Sequence, residues 1–325
     1  MRIVIHAGLL APPLRYGGAE RFAIWIGRGL RDLGHDVIYL AAPESRIDFA
    51  PVIPFDPTRT IDAQLPPGTD IVHLNDPSWP RGTPACMTYH GTSRVPVVHH
   101  PNTVFVSADH ASRNGGSVFV WHGIDPADYP EPHLDTRRDR LTFLAKAAWR
   151  VKNVRGAIRT ARRAHLPIDI LGGRRVELVM DIRVTLDLNA RFHGMVDDAC
   201  KARCLDVSRG MISPVRWHEP FGIAIVEAMY FGVPVFGTPY GSLPELIPDF
   251  AGHLAISAEE LAAAITRGGY DPHRIHRYAR ERFDHRRMAR DYVALYGRIL
   301  AGETLHAGEL HAPATRPRRL LPWAS

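Results

Sequence analysis

Cysteine is scarce in this chain: Cys86, Cys200 and Cys204 are the only three in 325 residues. Three thiols give no disulfide framework. The Cys200/Cys204 pair lies on a stretch that reads as helix and has no nearby pair of histidines, so core packing rather than a metal site is expected there. Long apolar runs are missing too, and none approaches the roughly 20 residues of a membrane span. The opening Met1-Arg2-Ile3-Val4-Ile5-His6 is too short an apolar run for a signal peptide and lacks a cleavage site, so it reads as a first strand and a cytoplasmic protein is expected. Histidine is plentiful, but H-E-x-x-H and related metal spacings do not occur, and neither do zinc-finger spacing or an aromatic-basic RNA-binding pattern. No metal site among the histidines and no nucleic-acid partner is therefore expected, and no cofactor is assigned. Negative charge is in deficit: the formal net charge is +6, much of it from arginine spread over several segments. That balance suits nucleotide phosphates or an anionic lipid surface without choosing between them.

Strand and helix signals alternate from end to end, the pattern of parallel sheets covered by helices, and the length suits two domains. Arg2–His6 reads as a strand and Ala19–Leu33 as an amphipathic helix with Phe22, Trp25, Ile26 and Leu30 on one stripe. Short buried strands follow at His35–Ala41, Asp70–Leu74, Cys86–His90, Thr103–Ser107 and Ser117–Trp121. Composition then shifts: Asp125–Arg140 is proline-rich, charged and without a period, which is the profile of a linker. A second alternation runs through strands at Leu141–Ala145, Pro167–Leu171, Asn189–His193, Arg209–Ser213 and Val233–Gly237, and a helix is expected over Phe283–Leu300. The fold class is thus α/β, with two doubly wound, Rossmann-like domains whose ligands lie beyond the carboxyl ends of the strands.

The most informative stretch is His218-Glu219-Pro220-Phe221-Gly222-Ile223-Ala224-Ile225-Val226-Glu227, where two carboxylates bracket the opening of an apolar helix. Pro220 ends what precedes it, Gly222 leaves room for close backbone approach, and the N–H groups near Phe221 to Ile223 form an anion site at the helix start. Glu227 follows Glu219 by about two turns on roughly the same side. The pair suits a phosphate-bearing ligand with hydroxyls at both ends; by spacing alone it also suits a solvated face. Phe231-Gly232-Val233-Pro234-Val235-Phe236-Gly237-Thr238-Pro239-Tyr240-Gly241-Ser242-Leu243-Pro244-Glu245 then reads as helix stop, buried strand, glycine loop and new helix. The loop Tyr16-Gly17-Gly18-Ala19-Glu20-Arg21 opens the first long helix and offers backbone approach, although it is not the G-x-G-x-x-G dinucleotide fingerprint.

These blocks together resemble the donor-site signature of retaining family 4 glycosyltransferases of the GT-B fold: an E-x7-E motif followed by G-x-P-V-x-x-T and a glycine pair, the second member of which is Ser242 here. The Gly17-Gly18 loop resembles the family's first glycine-rich loop. Lys146 and Lys152 occupy the slot where the family carries G-R-x5-K, with Ala145-Lys146 in place of Gly-Arg. Tyr89-His90-Gly91 resembles the first-domain histidine motif that abuts the donor sugar, while His73 and His122 belong to family landmarks taken as structural. His193-Gly194-Met195-Val196-Asp197-Asp198-Ala199-Cys200-Lys201 resembles the nucleobase loop of phosphatidylinositol mannosyltransferases, with Val196, Asp198 and Lys201 at matching positions. An acidic side chain there can accept from guanine N1–H and N2–H, and the same loop could equally be an N-capping segment.

The resemblance implies an interdomain cleft, with residues 1–125 as the acceptor-side domain, 126–140 as the linker and 141–282 as the nucleotide-sugar domain. Residues 283–302 would be a helix crossing back to the first domain, and 303–325 a flexible basic tail. It implies transfer of a hexose from a GDP- or UDP-linked sugar to an unknown acceptor with retention, without a metal. Catalytic roles then fall to His90, Lys146, Lys152 and Glu219, and donor binding to Gly17, Gly18, Val196, Asp198, Lys201, Phe221, Gly222, Ile223 and Glu227. A catalytically weakened nucleotide-sugar binder and a GT-B sugar-nucleotide epimerase are the alternatives. In the tail, Arg316, Arg318 and Arg319 with Leu320, Leu321 and Trp323 suit either peripheral contact with an anionic membrane or an inert solvated extension.

Overall fold

Short runs rich in valine, isoleucine and leucine, closed by polar turns, are too short for helices and too apolar for one-sided sheets, so the central ones form strands buried on both faces. In the computed structural model, which describes residues 1–7, 18–178, 182–317 and 319–324, they build two six-stranded parallel sheets. The chain divides into two compact units: Met1–Asp125 with Phe283–Thr315, and Pro126–Arg282 with Arg316–Ser325.

In the first unit the strands lie in the order Val52–Pro54, Asp36–Ala41, Arg2–His6, Ile71–Leu74, Ala85–Thr88, Thr103–Val104, all parallel. Val4, Leu40, Val72 and Met87 fill one face, each buried aliphatic side chain contributing about 1.5–3 kcal/mol of transfer free energy. The helix Gly18–Asp32 packs with the helix His285–Leu300, closely enough that a Cβ on Gly29 would stand 2.6 Å from the His285 carbonyl oxygen. The strand expected over Ser117–Trp121 is reduced to a bridge between Phe119 and Phe105. Beyond it the chain closes on the Asp284 backbone, which a Cβ at Gly123 would meet at 2.4 Å.

In the second unit the order is Ala190–Gly194, Ile168–Leu171, Arg140–Leu144, Ser208–Ser213, Val235–Gly237, Gly252–Leu254, again all parallel. Phe143, Ile170, Ile212 and Phe236 pack beneath Ala157, Ala161, Leu261 and Ile265 from the helices Val154–Arg163 and Ala258–Arg267. The order steps away in opposite directions from the gap between Arg140–Leu144 and Ser208–Ser213. A crevice therefore opens at their carboxyl ends, the switch point where ligands bind in sheets of this kind.

Two stretches differ from the sequence expectation. The segment 126–140 behaves as part of the second unit: Tyr129 is buried, and the Arg138 guanidinium donates to the carbonyls of Ser208 and Phe231. Arg138 satisfies backbone carbonyls of the neighbouring elements, and the His133 N–H donates to the Asp206 carboxylate, so the segment packs rather than spacing two domains. The tail 303–325 also has partners. Leu310–Ala312 pairs antiparallel with Val97–His99, Ala324 bridges Ser257, and Trp323 packs against the second unit's core. A segment without a period holds these places because strand-edge pairing needs unpaired N–H and C=O groups, which any sequence supplies. Among the described residues no helix is long and apolar enough to cross a membrane.

Candidate functional site

Lys152 is placed in the switch-point crevice by the turn that follows the strand Arg140–Leu144. The 3-10 turn Arg150–Lys152 ends at Asn153, which adopts the left-handed conformation (φ 55°, ψ 51°) that asparagine tolerates. Asn153 caps the helix Val154–Arg163 by accepting from the Gly156 N–H, and its amide donates to the Pro214 carbonyl, while the Arg216 N–H donates to the Val151 carbonyl. The lysine is thus fixed against the segment that carries Glu219. Its Nζ donates to Glu219 Oε2 at 2.5 Å and stands 5.0 Å from the centre of the Trp217 ring, whose Nε1–H donates to the same oxygen at 2.8 Å.

Glu219 is buried, which a carboxylate tolerates when charged and hydrogen-bonding donors converge on it. Gly241 lies against its backbone in the left-handed region (φ 67°), and a Cβ there would meet the Glu219 N and O atoms at 2.3 Å. Ser242, which replaces a glycine of the motif, is accommodated: its N–H donates to the Glu219 carbonyl at 2.9 Å and its hydroxyl to the Phe221 carbonyl at 2.6 Å. Gly222, at φ 90°, caps the helix Ile223–Tyr230, and a Cβ on it would crowd Ile225 at 2.9 Å. Phe221 is buried, and Ile223 is the first residue of that helix.

Inside the same helix Glu227 is fully buried. It forms an ion pair with Lys201 and accepts from the Tyr129 hydroxyl at 2.8 Å. Lys201 Nζ also lies 2.7 Å from Asp198 Oδ1 and 5.1 Å from the Tyr129 ring centre. Val196 is half-buried in the loop before the helix Asp198–Asp206, whose cap is the Asp197 carboxylate accepting from the Cys200 N–H. Lys146, six residues before Lys152, is exposed, and among the described residues it makes no ion pair. Gly18 opens the helix Gly18–Asp32, and Gly17 lies outside the described residues.

In the first unit His90 sits two residues beyond the strand Ala85–Thr88. Its Nε2 is 3.2 Å from Asn75 Oδ1 and its Nδ1 3.3 Å from His122 Nε2. Burial, with a smaller contribution from His110, pushes its pKa down to about 3, so it is a neutral imidazole at physiological pH. His73, held by Tyr296 and Thr88, is likewise lowered to about 3 by burial.

Sequence reasoning brought Glu219 and Glu227 to attention but missed the aromatic donors on them. Trp217 precedes Glu219 by two residues and was in plain view. Tyr129, the only aromatic in the proline-rich segment 126–140, was the signal that this stretch packs.

Residues 133–268 match the family model described as glycosyl transferases group 1. The matched stretch lies within the second unit. Across 315 aligned residues this chain is 22% identical to the phosphatidyl-myo-inositol mannosyltransferase of Propionibacterium freudenreichii, covering 76% of this chain and 81% of that one. A Klebsiella pneumoniae protein of the cps region, itself uncharacterised, is 29% identical over 118 residues, and the match spans about a third of its length. Among solved structures, AviGT4, a glycosyltransferase of avilamycin A biosynthesis, superposes with a TM-score of 0.76 at 23% identity, covering 93% of this chain and 99% of that one. Anabaena HepE in complex with UDP-glucose gives 0.63 at 16% identity, with coverages of 93% and 100%. The fold is therefore GT-B, and the family match and the fold together support glycosyl transfer.

Proposed function

We propose that this protein is a glycosyltransferase that moves a hexose from a nucleotide diphosphate sugar to an acceptor with retention at the anomeric carbon. The observation that carries the reading is the pair of buried carboxylates, Glu219 just before and Glu227 within the helix Ile223–Tyr230, each held by a lysine and an aromatic donor. Buried charges so arranged are costly to keep without a ligand to orient. In this reading Glu227 binds ribose hydroxyls and Glu219 sugar hydroxyls. Lys152, Lys146 and the N–H groups from Phe221 to Ile223 face the diphosphate, where negative charge grows as the glycosidic bond breaks. By resemblance to the family, the Gly17-Gly18 loop is assigned to the diphosphate, Val196, Asp198 and Lys201 to the base, and His90, neutral, to the donor sugar. The HepE complex with UDP-glucose supports a nucleotide-sugar donor, and the resemblance of the loop bearing Val196 and Asp198 to that of phosphatidylinositol mannosyltransferases keeps GDP beside UDP as its nucleotide.

The test is incubation of the purified protein with UDP-, GDP- and ADP-sugars, following thermal shift, nucleotide release and, by NMR, the anomeric configuration of the product. Ligand binding raises apparent stability by mass action. Nucleotide release with an α-configured product from an α-linked donor supports the proposal. Binding without release identifies a nucleotide-sugar binder, and a changed sugar still linked to its nucleotide identifies an epimerase.

A further inference from the structure

The fold brings together three side chains from a strand end and the helix that follows it. The helix Asp198–Asp206 sets Cys200 and Cys204 one turn apart on the same side, and His193, near the end of the strand Ala190–Gly194, closes on both. One ligand atom from each, an imidazole nitrogen and two sulfurs, all lie within 4.8 Å of one another. Zn–S bonds of about 2.3 Å and Zn–N bonds of about 2.0–2.1 Å put the ligand atoms of a tetrahedral ion roughly 3.5–3.8 Å apart. Small side-chain rotations therefore bring all three onto one ion.

A buried carboxylate holds the imidazole. His193 Nε2 is 2.7 Å from Asp169 Oδ1, and Asp169 is buried, its other oxygen accepting from Arg140 at 3.2 Å. With Nε2–H donated to this carboxylate, Nδ1 is left carrying the lone pair. This is the outer-shell arrangement that fixes a histidine's tautomer and ring for a metal. The first turn of the cysteine helix is fixed as well, by the Asp197 cap on the Cys200 N–H at 2.7 Å. Cys204 is buried while His193 and Cys200 are half-buried, so the cluster has a packed side and an open side.

We propose that His193, Cys200 and Cys204 form a binding site for a thiophilic divalent ion, Zn²⁺ first among them, with a fourth position open to water. Binding exchanges two thiol protons for two metal–sulfur bonds, and both protons leave to solvent, so affinity rises with pH. The bound ion joins the strand end to the helix across residues 194–199 and stiffens the loop bearing Val196 and Asp198. That last consequence rests on the proposed donor reading; the metal site does not.

The experiment uses the whole protein, reduced, stripped with a chelator and titrated anaerobically with Co²⁺ and then Zn²⁺. One equivalent of Co²⁺ is expected to raise a thiolate-to-cobalt charge-transfer band with tetrahedral d–d bands, and one equivalent of Zn²⁺ to abolish them. Cys200→Ser should diminish the band and lower affinity at least tenfold. Asp169→Asn should keep the band and weaken binding by roughly 10- to 100-fold, and Cys86→Ala should change nothing. Cys200, being half-buried, is the variant least exposed to folding failure, and His193→Ala gives an independent reading if Cys204→Ser does not fold. No band at one equivalent, or a band unmoved by both Cys200→Ser and His193→Ala, overturns the site.

Discussion

Lys201 and Glu227 are an ion pair in which both side chains are withdrawn from water, 2% and 0% exposed, so each compensates the other for lost hydration, with Asp198 and Tyr129 adding to it. Breaking a buried pair on one side strands the other charge and costs about 3–5 kcal/mol. Lys201→Met is therefore expected to destabilise the second unit by that amount, and Lys201→Met with Glu227→Gln to recover part of it. Urea unfolding of the two variants checks this. A double variant no more stable than the single one would show that the ion pair is not what the lysine supplies.

Glu227 and Glu219 should separate when both the free nucleotide and the nucleotide sugar are titrated. Glu227→Ala is expected to weaken both ligands and Glu219→Ala to spare the free nucleotide, each loss being about 1.5–3 kcal/mol for a hydrogen bond to a charged group. Calorimetry on both variants reads the difference directly. Equal losses for the two ligands in both variants would sink the assignment.

Lys152 and Lys146 are expected to differ, because the structure ties one down and leaves the other exposed. Lys152→Ala should lower turnover by roughly 100-fold or more, the scale of a lost electrostatic stabiliser of the transition state. Lys146→Arg should be tolerated. Turnover of the two variants under saturating donor decides the point, and wild-type turnover in Lys152→Ala would rule out its role.

The two sheets were legible because period and punctuation agree: Val4, Leu40, Val72 and Phe143, Ile170, Ile212 sit in short apolar runs closed by glycine or polar turns. Short edge elements were not. Val52–Pro54, Gly252–Leu254 and Leu310–Ala312 are held by pairing with a neighbour and carry too few residues for a period to show. The carboxylates stood out because charges beside an apolar helix are conspicuous. Their partners did not, since Tyr129 reaches Glu227 from 98 residues away and Lys152 reaches Glu219 from 67. The approach of His193 to Cys200 and Cys204 depends on how a strand end meets a helix, which spacing along the chain does not encode.

The first unit should be acid-sensitive above the carboxylate range. His73 and His90 have pKa values pushed down to about 3 and His110 to about 4 by burial, and His122 is lowered in the same way. A histidine lowered on folding binds its proton only in the unfolded chain between about pH 6.5 and the folded value, so stability is full above pH 6.5 and falls as pH drops below it. Each such group contributes up to about 1.4 kcal/mol per pH unit. Urea midpoints at pH 7.5, 6.5 and 5.5 should drop mainly in the last interval, and His73→Gln should flatten that drop. A midpoint constant from pH 7.5 to 5.5 would contradict the buried neutral state.

The final ten residues should matter to stability rather than trail in solvent. Backbone hydrogen bonds run from Ala324 N–H to the Ile256 carbonyl, from Ala258 N–H to the Ala324 carbonyl and from Leu321 N–H to the Arg216 carbonyl. The Arg216 guanidinium and the Tyr240 hydroxyl donate to the carbonyls of Leu321 and Pro322. The Arg316 guanidinium lies 5.8 Å from the Trp149 ring centre, and Trp323 packs on the core. At a net value of about 0.5–1.5 kcal/mol per hydrogen bond, offset by the chain entropy that truncation no longer spends, ending the chain at Thr315 should cost the second unit a few kcal/mol. Trp323→Ala alone should cost less. Because Arg316, Leu321 and Trp323 are engaged in this way, co-sedimentation with anionic vesicles is expected to be the same for the full chain and the truncated one. Vesicle binding lost on truncation, with the unfolding transition unmoved, would return these residues to the membrane role that their composition suggests.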